Sequence, residues 1–374
     1  MKFIEDKIVL SPNDIDLSFS PIRKSTGKDT FVLGAFNPGF EKLPNGNCIM
    51  MVRVAESLKN IVKNNFFKVI RWTHKDNYTI DRYPINDVDT SDPRKYKLHK
   101  FKHAKVFGLT SFSWILPVEL TPDGLNIVKI HYDKIIEPTE TYQEYGVEDA
   151  RITKIDDKYW MTTCSVSSER HSTTLYSSED GINYQLEGII LDHQNKDMVL
   201  FPEMIDNKYF ALTRPLGDLY FSTPIDSIYN PGPSINLSQS PDLLHWKPCD
   251  KPFIRAQRDT QMSMKLGSGA PPIRTEKGWL VLFHGVEKKG EVGIYRTFKS
   301  YLDLEKPWII KSIDYENPVM EAESELTKEI QDKIYIEDVV FTTGIISNGN
   351  HFIVASGELD LCCRITHISK TNLQ

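Results

Sequence analysis

Two acidic residues and an arginine interrupt an apolar stretch near the middle of the chain. The run Glu148–Arg151 reads Glu-Asp-Ala-Arg and is flanked by a valine and an isoleucine. Charged side chains in a β-strand are costly unless they are paired or used. A carboxyl group close to other carboxylates has a raised pKa, which suits a general acid. The run is therefore a candidate for acid catalysis.

Further polar residues occur in segments that resemble this one. Asn37, Glu203 and Asp338 each lie in such a segment, and together with the acidic pair they would suit a sugar with many hydroxyl groups. For Asn37 and Glu203, hydrogen bonds that tie the backbone together are an equally good explanation. The five similar segments, each mixing Gly, Pro or a charge into an apolar strand, are Gly34–Phe40, Gly146–Ile152, Val199–Ile205, Gly267–Ile273 and Glu337–Gly344.

These segments belong to a chain that is β-rich almost throughout. Short aromatic and apolar runs such as Tyr209–Thr213 and Gly278–His284 are bounded by turn residues, as in a sandwich, barrel or propeller. A repeat of about 40 to 70 residues with about four strands is typical of a propeller blade. The sequence therefore predicts an all-β, five-bladed β-propeller with short terminal extensions and few helices. The innermost strands of a propeller line its channel, where the polar residues would meet.

The whole chain, residues 1–374, is predicted to form one catalytic domain. The interval from Asn37 to Asp149 is too long for one blade, which indicates an insertion around residues 76–105. The polar composition of this insertion is compatible with two interpretations. The insertion is either a loop that covers the channel mouth or a surface loop without a function.

Composition excludes several classes of protein. The net charge of -6 leaves no basic surplus for a nucleic acid. The charged first ten residues do not form a secretory signal, and no run approaches the length of a membrane span. The five cysteines have no metal-ligand spacing, so we expect reduced thiols in a cytoplasmic protein without a metal or cofactor. A homo-oligomer is compatible with the sequence.

Nine blocks form an ordered set between about residues 34 and 360: Phe36–Gly39, Met51–Glu56, Tyr145–Ile152, Asn195–Glu203, Lys208–Pro215, Ser240–Leu243, Lys265–Ile273, Gly278–Val286 and Tyr301–Leu304. No single block is unique. In this order they resemble glycoside hydrolase family 130, the mannoside phosphorylases and related β-mannosidases.

The resemblance implies a five-bladed propeller and a mechanism. Asp149 would be the catalytic acid and would pass its proton through a hydroxyl group of the bound mannose to the glycosidic oxygen. Inorganic phosphate would attack with inversion and release α-mannose 1-phosphate. We expect the β-mannoside to be held by Asn37, Arg53, Glu148, Arg151, Glu203, Arg214 and Asp338.

Phosphate would be bound at the positions that match the family's phosphate groups. A dianion needs several cationic or hydrogen-bonding groups in one place. Lys265, His284 and Tyr295 match the family's positions, and Arg214 and Lys196 lie in matching blocks where they add charge. Phosphate would be a co-substrate, and no cofactor is implied. The segments 141–146 and 195–197 are similar to the branch that acts on β-1,2-mannosides.

Three alternatives stay open. The chain departs from many phosphorylases because no arginine aligns cleanly with His171–Thr174, although Arg170 is close, and Asp218 or Asp226 near the site could activate water. An inverting β-1,2-mannosidase is therefore the first alternative. A carbohydrate-binding propeller without catalysis is the second, although it would not need the charges of Glu148–Arg151. Another five-bladed glycosidase, acting on arabinan or fructan, is the third.

Overall fold

The computed structural model describes residues 2–100, 106–217, 221–249 and 252–373, and most of its regular elements are β-strands. The prediction of a mostly β fold is therefore confirmed. The strands are β1 (Glu5–Leu10), β2 (Thr30–Lys42), β3 (Cys48–Leu58), β4 (Val62–Lys63), β5 (Phe66–Thr73), β6 (Asn77–Pro84), β7 (Val88–Asp89), β8 (Lys95–Leu98), β9 (Phe107–Leu109), β10 (Phe112–Leu120), β11 (Ile127–Ile130), β12 (Val147–Ile155), β13 (Lys158–Val166), β14 (His171–Ser178), β15 (Gln185–Ile189), β16 (Asn195–Leu200), β17 (Tyr209–Pro215), β18 (Asn236–Ser240), β19 (Lys247–Pro248), β20 (Lys265–Ser268), β21 (Ile273–Thr275), β22 (Gly278–Glu287), β23 (Ile294–Leu302), β24 (Ile310–Ile313), β25 (Val340–Asn348), β26 (His351–Glu358) and β27 (Cys362–Ser369).

The helices are short. None in the described ranges is long and apolar enough to cross a membrane. The α-helices are α1 (Pro21–Thr26) and α2 (Lys370–Leu373), and the 3-10 helices span Pro12–Asp14, Leu17–Phe19, Ile85–Asp87, Tyr132–Lys134, Thr141–Gln143 and Ser324–Lys333.

Five antiparallel sheets of at least four strands make up most of the molecule. Sheet I has the order β2-β3-β10-β11, sheet II β12-β13-β14-β15 and sheet III β16-β17-β18-β19. Sheet IV has the order β20-β22-β23-β24, with β21 also paired to β22, and sheet V has the order β25-β26-β27-β1. Each sheet contacts the next in this series, and sheet V contacts sheet I through β25 and β2.

The core lies between successive sheets. A separate apolar cluster fills each of the contacts I–II, II–III, III–IV, IV–V and V–I. Strand β10 shows how the sequence achieves this, because it is buried along its whole length. Trp114, Leu116 and Val118 pack toward sheet V, whereas Ile115 packs toward sheet II. Successive side chains of a strand point to opposite faces, so an uninterrupted apolar strand can serve two clusters.

The two ends of the chain meet in sheet V, where β1 pairs with β27. Arg364 of β27 binds both carboxylate oxygens of Asp6 at 2.7 Å, donates to the Glu321 carbonyl at 2.9 Å and contacts Glu358 at 3.0 Å. Thr366 also donates to Asp6. These contacts join the first strand of the chain to the last.

Two small three-stranded sheets, β4-β5-β6 and β7-β8-β9, lie between β3 and β10. Their own apolar cluster contains Phe67, Val69, Val88 and Tyr96. They begin at Val62, before the predicted insertion around 76–105, and residues 101–105 of that prediction lie outside the described ranges. We call the segment Val62–Leu109 the inserted segment.

Candidate active site

The first strand of each of sheets I, II and III contains a residue in the left-handed backbone conformation. Asn37 in β2, Asp149 in β12 and Asp197 in β16 have φ angles of 49°, 52° and 58°. Each lies where the pairing with the second strand of its sheet shifts register, in a β-bulge. Asn and Asp tolerate this left-handed conformation better than other non-glycine residues. Bulges re-aim side chains, and here they accompany polar groups from three successive sheets.

The first of two polar clusters, which we call the acid cluster, surrounds Asp149. Arg53 of β3 binds Asp149 at 2.9 Å and Glu148 at 2.8 Å through its two terminal nitrogens. The Asn37 amide donates to the same oxygen of Asp149 at 2.9 Å. Lys196 reaches the other oxygen of Glu148 at 3.1 Å. Sheets I, II and III therefore each contribute to this cluster, and it contains five of the predicted site residues.

The surroundings of Asp149 correct one expectation. Burial opposes ionisation, but Arg53, Lys196 and Arg151 favour the carboxylate more strongly, so the pKa of Asp149 is held below its usual range. The pKa of Glu148 is also lowered, because Arg53 and Lys196 outweigh burial. The expected rise in pKa from neighbouring carboxylates was wrong, since the cations around the pair outweigh the mutual repulsion.

The second cluster, which we call the cationic cluster, is centred on Asp197. Arg214 of β17 lies 3.0 Å from its carboxylate, Arg151 of β12 lies 3.6 Å away and His284 of β22 also lies 3.6 Å away. Both arginines and the histidine are buried. Burial together with Arg214, Arg151 and Lys265 holds the pKa of His284 well below its usual value, so its ring is neutral near pH 7.

Gly267 explains how the cationic cluster can be so compact. A β-carbon on Gly267 would lie 2.4 Å from an Asp197 carboxylate oxygen and 2.6 Å from the His284 ring. Glycine is therefore required at this position, because only its backbone can approach so closely. The Gly-x-Gly motif that follows Lys265 thus has a packing reason in the structure.

Several nitrogen atoms of the cationic cluster have no hydrogen-bond partner within the described part of the chain. They are all three side-chain nitrogens of Arg151, the Nε of Arg214 and both ring nitrogens of His284, one of which is a donor in the neutral ring. Most buried polar groups in proteins are paired, so each exception needs an explanation. One carboxylate, Asp197, faces three groups that could bind an anion.

Lys265 and Tyr295 lie beside the cationic cluster. The Lys265 ammonium is 5.2 Å from the centre of the Tyr295 ring, and that ring stacks on His284 at 5.9 Å. Asp338 is close in the backbone, since its carbonyl accepts from the Tyr295 amide at 2.9 Å. Its carboxylate, however, is half-exposed and bound to Lys289 at 2.6 Å. The structure brings Lys265, Tyr295 and His284 together and leaves the Asp338 side chain at the periphery.

The structure does not bring Glu203 to either cluster. Its carboxylate is 43% exposed and pairs with Arg274 of β21 at 2.6 Å. Strand β16 ends at Leu200, so Glu203 follows the strand instead of lying within it. The geometry gives no support to a substrate-binding role for Glu203.

Other residues mattered more than the sequence indicated. Asp197 was not among the predicted site residues, although it occupies a bulge like that of Asp149 and adjoins Lys196. Ser113 was also missed, and it accepts a hydrogen bond from the Arg53 Nε at 2.9 Å.

Of the two possible water-activating residues, Asp226 is exposed and Asp218 lies outside the described residues. His171, which follows Arg170, has a pKa lowered to about 4 by burial and by Lys196.

The chain matches a family of carbohydrate-active enzymes. The family model for glycoside hydrolase family 130, described as β-1,4-mannooligosaccharide phosphorylase, matches residues 111–373. The chain belongs to this family. The predicted resemblance is thereby confirmed.

Individual relatives are named as enzymes of β-1,2-mannosides. A β-1,2-mannobiose phosphorylase of Listeria innocua is 30% identical over 336 residues, which cover 88% of this chain and 87% of that protein. A 1,2-β-oligomannan phosphorylase of a Thermoanaerobacter species is 32% identical over 60% of this chain and 68% of that protein. The solved structure of the Listeria innocua enzyme with β-1,2-mannobiose has a TM-score of 0.81 at 26% identity and covers 99% of this chain and 98% of that one.

Proposed function

We propose that the protein is an inverting β-mannoside phosphorylase that acts on β-1,2-linked manno-oligosaccharides and releases α-mannose 1-phosphate. The observation that carries this proposal is the cationic cluster, whose buried donors on Arg151, Arg214 and His284 are unpaired in the described part of the chain. A phosphate dianion would satisfy several of these donors at once. The relatives' names supply the linkage.

The acid cluster would bind the mannosyl unit that is transferred. Asn37, Arg53, Glu148 and Lys196 carry donors and acceptors that are already held in place by one another. Such pre-organised groups bind hydroxyl groups without further ordering of side chains. Lys196 pairs with Glu148 and belongs to this cluster, so we assign it to the sugar side and not to phosphate.

The cationic cluster, with Lys265 and Tyr295 beside it, would hold phosphate. Arg151 lies in the same strand as Asp149 and approaches Asp197, the carboxylate that His284 also approaches. We therefore assign Arg151 and Arg214 to phosphate. The sequence indicated contacts with the sugar for both, and added charge for phosphate only in the case of Arg214. A phosphate oxygen would bond to the anomeric carbon while the glycosidic bond breaks and the leaving oxygen gains a proton.

The lowered pKa of Asp149 requires that its proton is acquired in the substrate complex. A sugar over the carboxylate would remove water, and a phosphate dianion would offset the positive charge of Arg151. Both effects raise the pKa of Asp149. Asp149 would thus become protonated only when both substrates are bound. A proton relay through a mannose hydroxyl requires this protonated form of Asp149.

The five sheets are best explained as the blades of one five-bladed β-propeller formed by residues 1–374. The cyclic order of sheet contacts and the five intervening apolar clusters support this architecture. Pairing of β1 with β27 would close the ring. Five cysteines without disulfides fit a cytoplasmic protein. No cofactor is needed, and a homo-oligomer is compatible with the proposal.

The direct test is to incubate the protein with β-1,2-mannobiose with and without inorganic phosphate. We expect mannose 1-phosphate to form only with phosphate. Equal release of free mannose in both reactions would instead identify a β-1,2-mannosidase. Asp149→Asn should reduce turnover at least about 1,000-fold, and Asp157→Asn, a change in the exposed turn after β12, serves as the matched control. Turnover that survives the change at Asp149 would exclude it as the acid.

A further inference from the structure

A cavity of about 250 Å³ lies between the inserted segment and sheet II. One wall is formed by Tyr83, Tyr96 and Phe107 of the inserted segment. The other wall is formed by Tyr145, by the loop from Val166 to His171 and by Gln194. Neither cluster described above includes these side chains.

The walls of this cavity are held in place by the surrounding structure. The Tyr145 amide donates to the Val166 carbonyl at 2.8 Å. The Ser168 amide donates to the Glu144 carboxylate at 2.9 Å. On the opposite wall, the rings of Tyr83 and Tyr96 are 5.5 Å apart. The cavity is therefore a formed feature of the fold, with aromatic rings on one side and a hydrogen-bonded loop on the other.

The chemistry of the lining suits a sugar ring. Aromatic side chains offer flat apolar surface with a polar tip. Glu169, Arg170, His171 and Gln194 add donors and acceptors at the opposite wall. Ligand pockets commonly combine aromatic surface with a few polar groups that orient the ligand. A hexose has both an apolar face and a polar edge, so it matches both walls.

The position of the cavity relates it to the acid cluster. Tyr145 is three residues before Glu148, and Gln194 is two residues before Lys196. His171 contacts Gln194 at 3.5 Å, and its imidazole is close enough to Lys196 and Glu148 of the acid cluster to interact electrostatically with both. Lys265, His284 and Tyr295, which we assign to phosphate, belong to sheet IV instead. The cavity thus adjoins the sugar side of the site through sheets II and III.

We propose that this cavity binds a further sugar unit of the leaving oligosaccharide, so that the protein prefers β-1,2-mannosides of three or more units over the disaccharide. The proposal rests on the proposed action on β-mannosides and adds chain-length preference to it. With a disaccharide the leaving group is one mannose. With a trisaccharide its second unit would occupy the cavity, between Phe107 and the loop that carries His171.

Phe107→Ala tests this proposal, because Phe107 is 49% exposed and its removal should not affect folding. Phe66→Ala is the matched control, since Phe66 is 41% exposed in the same inserted segment but does not line the cavity. The assay is kcat/KM for β-1,2-mannobiose and β-1,2-mannotriose, measured from the initial rate at which each substrate is consumed. Measuring consumption of the substrate keeps the test independent of whether phosphate or water is the nucleophile.

We expect the wild-type protein to favour the trisaccharide. Phe107→Ala should lower kcat/KM for the trisaccharide about five- to tenfold, mainly through KM, and leave the disaccharide within twofold. Phe107→Tyr should restore most of the loss, and Phe66→Ala should change neither substrate. Equal use of both substrates by the wild type, or an equal loss on both in Phe107→Ala, would overturn the proposal while leaving the proposed function intact.

Release of no mannosyl product from either substrate would count against the proposed function. Calorimetry with the trisaccharide and the disaccharide then decides the cavity proposal separately. Tighter binding of the trisaccharide that is lost in Phe107→Ala would support it. Equal binding of the two sugars, or no binding of either, would overturn it.

Discussion

Arg151 and Arg364 are equally buried, at 1% exposure each, but their guanidinium groups are surrounded in opposite ways. Arg364 makes four hydrogen bonds, to Asp6, Glu321 and Glu358. Arg151 makes none with the described residues, and it has one carboxylate at 3.6 Å and the Phe341 ring at 5.1 Å. A buried cation that stabilises the fold is fully paired, whereas one that binds an anion must keep its donors available.

The two arginines also lie in different sheets, Arg364 in sheet V and Arg151 in sheet II. Arg364 joins the first and last strands, so its partners must be present whenever the protein is folded. Arg151 shares Asp197 with Arg214 and His284. Buried charges without sufficient partners cost free energy. We infer that this cost is offset when phosphate binds.

The largest effect is expected at the paired arginine. Arg364→Met should lower the free energy of unfolding by about 3–5 kcal/mol, because it leaves Asp6 and Glu358 without their cation. Urea unfolding measures this change. Lys328→Met, which removes an exposed ion pair with Glu325, should cost less than about 1 kcal/mol. A similarly small loss of unfolding free energy in Arg364→Met would show that the ion pairs of Arg364 do not stabilise the fold.

Arg151→Met should have the opposite consequence. We expect kcat/KM for phosphate to fall about 100- to 1,000-fold, since donors to the reacting anion are lost. The free energy of unfolding should change by less than about 1 kcal/mol or rise, because an unpaired buried cation is removed. Steady-state kinetics with varied phosphate and urea unfolding measure the two quantities. A loss of stability as large as that at Arg364 would show that Arg151 is structural.

Phosphate itself should stabilise the folded protein. At about 100 times its Kd it should raise the free energy of unfolding of the wild type by about 2.7 kcal/mol. Arg151→Met should show little of this gain at the same concentration, whereas Arg364→Met should retain it. Chloride at matched ionic strength is the control for general salt effects. Equal stabilisation by chloride would show that the cationic cluster contains no specific anion site.

The smallest expected effect concerns pH. Burial and the nearby Arg214, Arg151 and Lys265 lower the pKa of His284, whereas in the unfolded chain it is about 6.5. Below that pH the unfolded state binds a proton that the folded state does not, so stability is lost as the pH falls. The loss is small at pH 6.5 and grows as the pH falls toward 5, because the unfolded chain becomes increasingly protonated. His284→Gln should reduce this pH dependence of the urea midpoint, and an unchanged dependence would contradict a neutral buried His284.

Much of the acid cluster was predictable from residue types. Asn37, Arg53, Glu148 and Asp149 occur in motifs whose polar residues interrupt apolar strands, and the structure places their side chains in contact. Glu203 occurs in a similar motif but lies beyond the end of β16, where it pairs with Arg274. Motif similarity alone does not distinguish a residue inside a strand from one three positions after it.

The sequence by itself determined the mostly β class, the family and the residues of the acid cluster, because alternating apolar runs and local motifs depend on short-range order along the chain. Only the tertiary structure decided the charge state of Asp149 and the role of Asp197. Both depend on distances between sheets, where Arg53 and Lys196 approach the acidic pair and Arg151, Arg214 and His284 converge on one carboxylate. Electrostatic energies vary with distance and burial, and neither quantity is local in sequence.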